Sequence, residues 1–227
     1  MLSNSQQSQQ AYLHPITMIV AFTNQKGGVG KSTAAVHMAY WLSQRQKTLM
    51  VDADAQQSSS VWAKSLGLDY KVIQDPEDLF ENIPEMATDY SALVIDGPGS
   101  LSEVTKAILA RCDLALVPCQ PSGLDLHSSQ KILRFIKHAT ELRLGYPKAA
   151  LFLSRATKGT VLEREAREVL KATGTKVMKA AIYQKQCIAD APGQGYTVFQ
   201  MSGKAASEAA ADYEAMFIEA LEILNDH

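Results

Sequence analysis

Cysteine is scarce in this chain, and the three present, Cys112, Cys119 and Cys187, form no C-x-x-C pair and cannot all pair with one another. That excludes a disulfide framework and suits a reducing cytoplasm. No apolar run approaches the length needed to cross a bilayer, and no charged start followed by an apolar core opens the chain, so a soluble protein with no membrane partner is expected. Excess charge of either sign is also missing: 22 Lys and Arg stand against 24 Asp and Glu, a formal charge of −2. Attraction to nucleic acid by bulk charge is thereby excluded, and any DNA contact must come from a local patch. His37, His127 and His138 have no partner at metal-ligand spacing. Residues 1–10 are rich in Ser, Gln and Asn with almost nothing to bury. With the lead-in to Pro15 they read as a flexible tail, residues 1–14, ahead of one domain over 15–227.

What is present is 46% hydrophobic residues over 227 positions, enough for one large core. Short runs rich in Val, Ile and Leu are expected as strands over Met18 to Phe22, Thr48 to Asp52, Ala92 to Ile95, Leu114 to Val117, Ala150 to Ser154 and Lys176 to Ile182. Helical patterns fall between and after them: Ser32 to Gln44, Ser58 to Ser65, Ser102 to Ala110, Leu126 to Leu142, Thr160 to Ala172 and Gly203 to Leu224. The alternation predicts an α/β fold, a mostly parallel twisted sheet with helices on both faces. Pro76, Pro84, Pro121, Pro147 and Pro192 are expected at or near the joins, where a missing amide proton does least damage.

Three segments carry chemistry. The first, Asn24-Gln25-Lys26-Gly27-Gly28-Val29-Gly30-Lys31-Ser32-Thr33, lies between a strand and a helix, the context of a phosphate-binding loop. Glycines let the backbone wrap an anion, Lys31 is expected against the β and γ phosphates, and the Ser32 hydroxyl on a magnesium ion. Thr33 is placed for the α-phosphate. The usual loop has a glycine where Gln25 stands, and a second lysine, Lys26, follows it. Lys26 is too far round the loop to serve the oxygens that Lys31 serves, so a nucleotide held by a second subunit is its candidate partner. The second segment, Leu49-Met50-Val51-Asp52-Ala53-Asp54, ends a strand in two carboxylates at the sheet edge where open α/β folds bind ligands; Asp54 is available to orient water. The third, Ala92-Leu93-Val94-Ile95-Asp96-Gly97-Pro98-Gly99, places Asp96 at a strand end to hold magnesium through water. The glycines after it are expected to move with the γ-phosphate.

These motifs, in this order, resemble the ParA/MinD family of P-loop NTPases, whose deviant Walker loop reads Lys-Gly-Gly-x-Gly-Lys-Ser-Thr. The resemblance covers nearly the whole chain beyond the tail and is nearest to the compact, ParF-like plasmid-partition branch. It implies that Lys26 reaches the partner's ATP in a sandwich homodimer, that Asp54 positions the attacking water, and that Asp52 supports the magnesium site. Ala55 replaces the family's proline after this aspartate. Val117 to Asp125 resembles a turn that meets the partner subunit, and Ile182 to Pro192, with Asp190 and Pro192, a segment that closes over base and ribose. Arg155, Ala156 and Thr157 stand where related ATPases meet adenine, and the Asn/Thr-Lys-x-Asp signature for guanine is absent, so ATP and ADP with Mg2+ are expected. The resemblance further implies non-specific DNA binding by the ATP dimer, here through Lys171, Lys176, Lys179, Lys185 and Lys204, hence a nucleoid-associated protein. A ParB-like or other adaptor is expected to stimulate hydrolysis. The related reading is an ATPase that spaces a protein cargo, such as carboxysomes or chemotaxis clusters. A MinD-like membrane positioner is disfavoured by the acidic C-terminal segment, and an iron-sulfur reductase by the spacing of Cys112 and Cys119.

Overall fold

The computed structural model describes residues 17–226, and for 123–128 the backbone only. The expected tail, residues 1–14, and the His127 side chain lie outside the described residues. Seven strands form one sheet: β1 (Met18–Phe22), β2 (Thr48–Asp52), β3 (Asp69–Val72), β4 (Ala92–Asp96), β5 (Leu114–Cys119), β6 (Lys148–Ala156) and β7 (Lys176–Tyr183). Their spatial order is β3-β2-β4-β1-β5-β6-β7, and every pairing between them is parallel. The helices among the described residues are α1 (Lys31–Ser43), α2 (Ser58–Ser65), α3 (Pro76–Asp89), α4 (Glu103–Leu109), α5 (Gly123–Leu142), α6 (Val161–Lys171), α7 (Gln186–Gln194) and α8 (Lys204–Asn225).

The apolar strand runs are continuous because both faces of the sheet are covered. Val20 and Phe22 join Met50, Val94, Leu116 and Phe152 in one core, closed by residues of α1 and α8 such as Met38, Leu42, Tyr213 and Phe217. Ile19 and Ala21, pointing the other way by the period-2 pleat, join Leu49, Val51, Leu93 and Leu151 in a second core. Residues of α3 to α6, including Leu79, Ile83, Ile108, Ile132 and Leu170, close that side. Burial on both faces of β1 and β4 fixes where their carboxyl ends emerge. The chain leaves β1 toward β2 on one side and β4 toward β5 on the other, so the crevice for a ligand opens above β1.

Three elements differ from the sequence expectation. Strand β3 has all four residues exposed, so it has neither an apolar run nor an alternation to mark it; its pairing with β2 makes it a strand. Helix α3 begins where a join was expected at Pro76, with Asp75 Oδ1 accepting from the Glu77 and Asp78 amides. Pro84 lies inside this helix rather than at a join, although an interior proline costs about 3 kcal/mol. The carbonyl that loses its partner to the proline ring, on Phe80, accepts instead from Arg111 Nε at 2.8 Å, and the Arg111 guanidinium stacks 3.6 Å from the Phe80 ring centre. Pro192, also expected at or near a join, likewise lies within a helix, α7, which did not figure among the helices expected from the sequence.

Candidate nucleotide site

The loop between β1 and α1 is held open by glycine. Gly30 caps α1 with φ 94°, where a Cβ would meet Ser154 Oγ at 2.7 Å, so a side chain here brings both strain and a clash. No side chain caps α1, and its first turn holds no acidic residue, which leaves the Lys31, Ser32 and Thr33 amides and the positive end of the helix to an anion. The loop is stitched to the sheet from beneath: buried Asn24 donates from Nδ2 to the Pro118 carbonyl at 2.7 Å and accepts the Lys26 amide on Oδ1 at 3.3 Å. Lys31 Nζ donates to the Lys26 carbonyl at 3.0 Å. Burial lowers the Lys31 pKa, while Asp96 and Asp54 draw it back up.

The two strand-end carboxylates divide their work. Asp52 is fully buried, and both its oxygens serve the backbone, Oδ1 accepting from the Asp54 amide at 3.1 Å and Oδ2 from the Ser60 amide at 2.7 Å. It ties the turn to the first residues of α2, the role of a helix-capping carboxylate rather than of a free metal ligand. Strand β2 ends at Asp52, so Asp54 owes its position to that turn, not to the pleat. Its Oδ1 accepts from the Gln56 amide at 3.0 Å, which leaves Asp54 half-buried on the wall of the cleft.

Asp96 is the opposite case. It is fully buried, and neither carboxylate oxygen makes a hydrogen bond. Burial pushes its pKa up to about 7; the Ser32 and Ser59 hydroxyls nearby and Lys31 oppose the rise, and Asp52 adds to it. A buried carboxylate without partners beside the Ser32 hydroxyl fits a hard cation, which needs few protein ligands once phosphate oxygens and waters complete its shell. Gly97 behind it packs closely against β1. Its amide donates to the Phe22 carbonyl at 2.9 Å, and a Cβ would sit 2.9 Å from that same oxygen, so the glycine permits close backbone packing.

Gly27, Gly28, Gly30, Lys31, Ser32, Thr33 and Asp54 line one cleft of about 540 Å³ together with Arg155. A second wall is the end of β7 and the start of α7, Ile182 to Gln186 with Ile188 and Ala189, backed by Tyr213, and Gln56, Ser58, Gly99 and Ser154 complete the lining. Val29 turns its side chain into the protein and is fully buried. Asp190 and Pro192, expected over the base, are not on the cleft wall; Asp190 Oδ1 accepts from Gln186 Nε2 at 2.8 Å and Pro192 is exposed. Tyr183, Gln184 and Gln186 lie within the segment Ile182 to Pro192 expected over the base and ribose, in which sequence reasoning singled out only Asp190 and Pro192.

The lysines expected for DNA do not form one cluster. Lys176 and Lys179 are exposed on β7, an edge strand whose eight residues span roughly 25 Å, and Lys185 lies beyond its far end. Lys185 lines the cleft and pairs with Glu208 at 2.8 Å and Asp212 at 3.7 Å. Lys171 pairs with Glu168 at 2.7 Å, and exposed Lys204 opens α8.

Behind the loop, buried His37 joins α1 to the segment before α8. Its Nδ1–H donates to the Thr33 carbonyl at 2.7 Å and its Nε2 accepts the Val198 amide at 3.2 Å, while the ring stacks on Tyr213 at 4.3 Å. A second ring proton would face the Val198 amide, and burial lowers the pKa from 6.5 to about 4. A depressed histidine pKa contributes stability that is present above pH 6.5 and is lost as pH falls toward 4. His37→Gln is therefore expected to gain stability relative to the parent by about 2 kcal/mol as pH falls from 7.5 to 5, a difference that paired urea titrations read directly. Asp96 titrates with the opposite sign in the same window, which is why the comparison between proteins, not the parent's own profile, isolates His37.

A glycine-rich loop that ends a central parallel strand, opens a helix toward an anion and sets a buried aspartate beside its serine defines a P-loop nucleotide-binding protein. Residues 20–198 match the model of the CobQ/CobB/MinD/ParA nucleotide-binding domain, and the chain belongs to that family. It is 35% identical over 201 residues to a maintenance of carboxysome distribution protein A from Gloeobacter kilaueensis, covering 86% of this chain and 90% of that one. It is 28% identical over 219 residues to a chromosome-partitioning ATPase Soj from Thermus thermophilus, covering 80% and 87%. Among solved structures, the ATP complex of a Cyanothece McdA variant superposes with a TM-score of 0.76 over 90% of this chain and 96% of that one, at 14% identity, a likeness of fold. The chain is thus a ParA-like member of this family. None of its described helices is long and apolar enough to cross a membrane. Cys112 and Cys119 are buried, with burial pushing their pKa values up to about 12 and 11, so neither is placed to hold a cluster between subunits.

Proposed function

We propose that this protein is a positioning ATPase: two copies close face to face on ATP, hydrolyse it when an adaptor protein engages them, and separate, releasing the surface to which the dimer had bound. The observation that carries this reading is the convergence of the loop amides, Lys31 and Asp54 on one cleft, with orphaned Asp96 beneath it. The loop amides and Lys31 bind the phosphates of ATP, and Lys26 reaches across to those of the opposite subunit. Ser32 and Asp96 would hold Mg2+, which when bound neutralises charge on the β and γ phosphates. Asp52 keeps the turn after β2 in place, and Asp54 orients the water that attacks the terminal phosphate. Arg155 lies at the edge of the cleft, where the wall formed by Ile182 to Ala189 encloses the nucleoside. Deviant Walker loop chemistry, nucleotide-dependent homodimerisation and non-specific DNA binding belong to this proposal, as do a cytoplasmic, nucleoid-associated location and an adaptor, ParB-like or other.

The cargo proposed is a protein assembly, with carboxysomes first, because a carboxysome-distribution protein is the relative at 35% identity and McdA the structural neighbour at TM-score 0.76. A DNA cargo, plasmid or chromosome, is the second reading, supported by the Soj relative. Phosphate release from ATP by the purified protein with Mg2+ and DNA tests the activity. Capture of the adaptor on the ATP-loaded protein, compared with the ADP-loaded one, separates the cargoes: an adaptor that also binds a protein shell supports the first reading, and one that binds DNA sites supports the second. Absence of hydrolysis in all conditions would remove the proposal.

A further inference from the structure

The Gly28 carbonyl is held from two sides by residues far away in the chain. Arg155 Nη1, from β6, donates to it at 2.9 Å, and Gln120 Nε2, from the turn after β5, at 3.2 Å. We propose that Arg155 and Gln120 are positioning residues that latch the phosphate loop, holding the Gly28–Val29 peptide in one orientation so that the loop backbone is set in advance for the bound anion. This rests on the nucleotide-binding reading of the cleft and replaces the expectation that Arg155 meets adenine.

A trans peptide fixes the Val29 N–H antiparallel to the Gly28 C=O, so drawing the carbonyl toward Arg155 and Gln120 turns the amide to the other side of the chain. Val29 anchors one end of this peptide by its buried side chain, and little sets the other end: Gly27 and Gly28 are exposed, and a Cβ built on either meets nothing within 4 Å. Glycine also removes most of the steric preference, since Gly28 at φ 75° is in a region it enters freely. The two hydrogen bonds are therefore the restraint on the glycine side of this peptide.

Arg155 accepts strain to make its contact. Its φ of 55° is left-handed, which costs a non-glycine residue about 1 kcal/mol or more unless surrounding contacts offset it. The preceding residue, Ser154, is the one whose Oγ lies under Gly30. Residues 154 and 155 thus bracket the loop, one beneath Gly30 and one on the Gly28 carbonyl. At this end β6 is paired with β7 alone, Ser154 with Ile182 and Ala156 with Tyr183, and Arg155 occupies the irregularity between those two pairs.

Three variants and two probes test this: Arg155→Gly, Arg155→Lys and Gln120→Ala, each titrated by calorimetry with Mg-ADP and with Mg-pyrophosphate, which has no base. Arg155→Gly should melt no lower than the parent, since glycine adopts the same φ without strain, yet bind both probes about tenfold more weakly, the scale of one charge-assisted hydrogen bond. Gln120→Ala should weaken both probes less, and Arg155→Lys, which keeps a donor, should recover most of the loss. If Arg155→Gly binds pyrophosphate like the parent, the latch is wrong; loss confined to ADP would return Arg155 to the base. If the parent binds neither probe, the nucleotide reading falls and the latch with it.

Discussion

Asp54→Ala is expected to bind ATP with Mg2+ and to dimerise on it, but to release phosphate about a hundredfold or more slowly, the ordinary cost of losing a group that orients or activates the nucleophile. The expectation comes from geometry. Asp54 is half-buried on the cleft wall, its backbone amide is tied to Asp52, and one of its oxygens is fixed by the Gln56 amide, so its carboxylate is aimed rather than free to rotate. Asp54→Asn retains an acceptor for that turn while losing the charge, and should be nearly as slow. A single-turnover assay of phosphate release, run beside sizing with ATP, distinguishes a trapped dimer from a misfolded protein. Turnover at the parent rate would remove Asp54 from the chemistry.

Lys31→Ala should abolish nucleotide binding without unfolding the protein. Lys31 is 5% exposed, and burial already works against its charge, as the lowered pKa records, so truncation relieves a desolvation cost while removing the cation that meets the phosphates. The readout is thermal. A ligand at a hundredfold its Kd stabilises by about 2.7 kcal/mol, and Mg-ADP should raise the melting temperature of the parent but leave Lys31→Ala where it was. A full shift in the variant would mean that the first-turn amides of α1 alone hold the phosphates.

Much of this site is legible in the chain because its parts are local. The loop from Asn24 to Thr33, the strand leading to Asp52 and the strand leading to Asp96 each announce themselves in fewer than a dozen residues, and a parallel sheet brings their ends together. What could not be read depends on contacts distant in sequence. Asp52 looks like a metal ligand until Ser60 and Asp54 are seen to use its oxygens, and Asp96 is distinguished from it only by what fails to reach it. Arg155 and Gln120 lie 127 and 92 residues from the carbonyl they hold. Strand β3 has no apolar face to betray it, whereas α3 did carry a signal, Leu79, Ile83 and Met86 at helical spacing behind an Asp-Pro start; Pro84 masked it, and only the Arg111 contact explains how the helix runs through. Charge along the chain does not give its arrangement: of the lysines gathered late in the sequence, Lys176 and Lys179 stand on an edge strand, Lys171 and Lys185 are in ion pairs, and Lys204 opens the last helix.

The central claim is that nucleotide joins two copies of this chain through Lys26. Sedimentation of the parent and of Lys26→Ala with a non-hydrolysable ATP analogue and Mg2+, each checked for bound nucleotide, tests it most directly. The parent should sediment at twice the 24.8 kDa chain mass with the analogue and at the chain mass with ADP, and Lys26→Ala should hold the analogue yet remain single. A parent that stays single with the analogue bound, or a Lys26→Ala protein that pairs as readily as the parent, would contradict it.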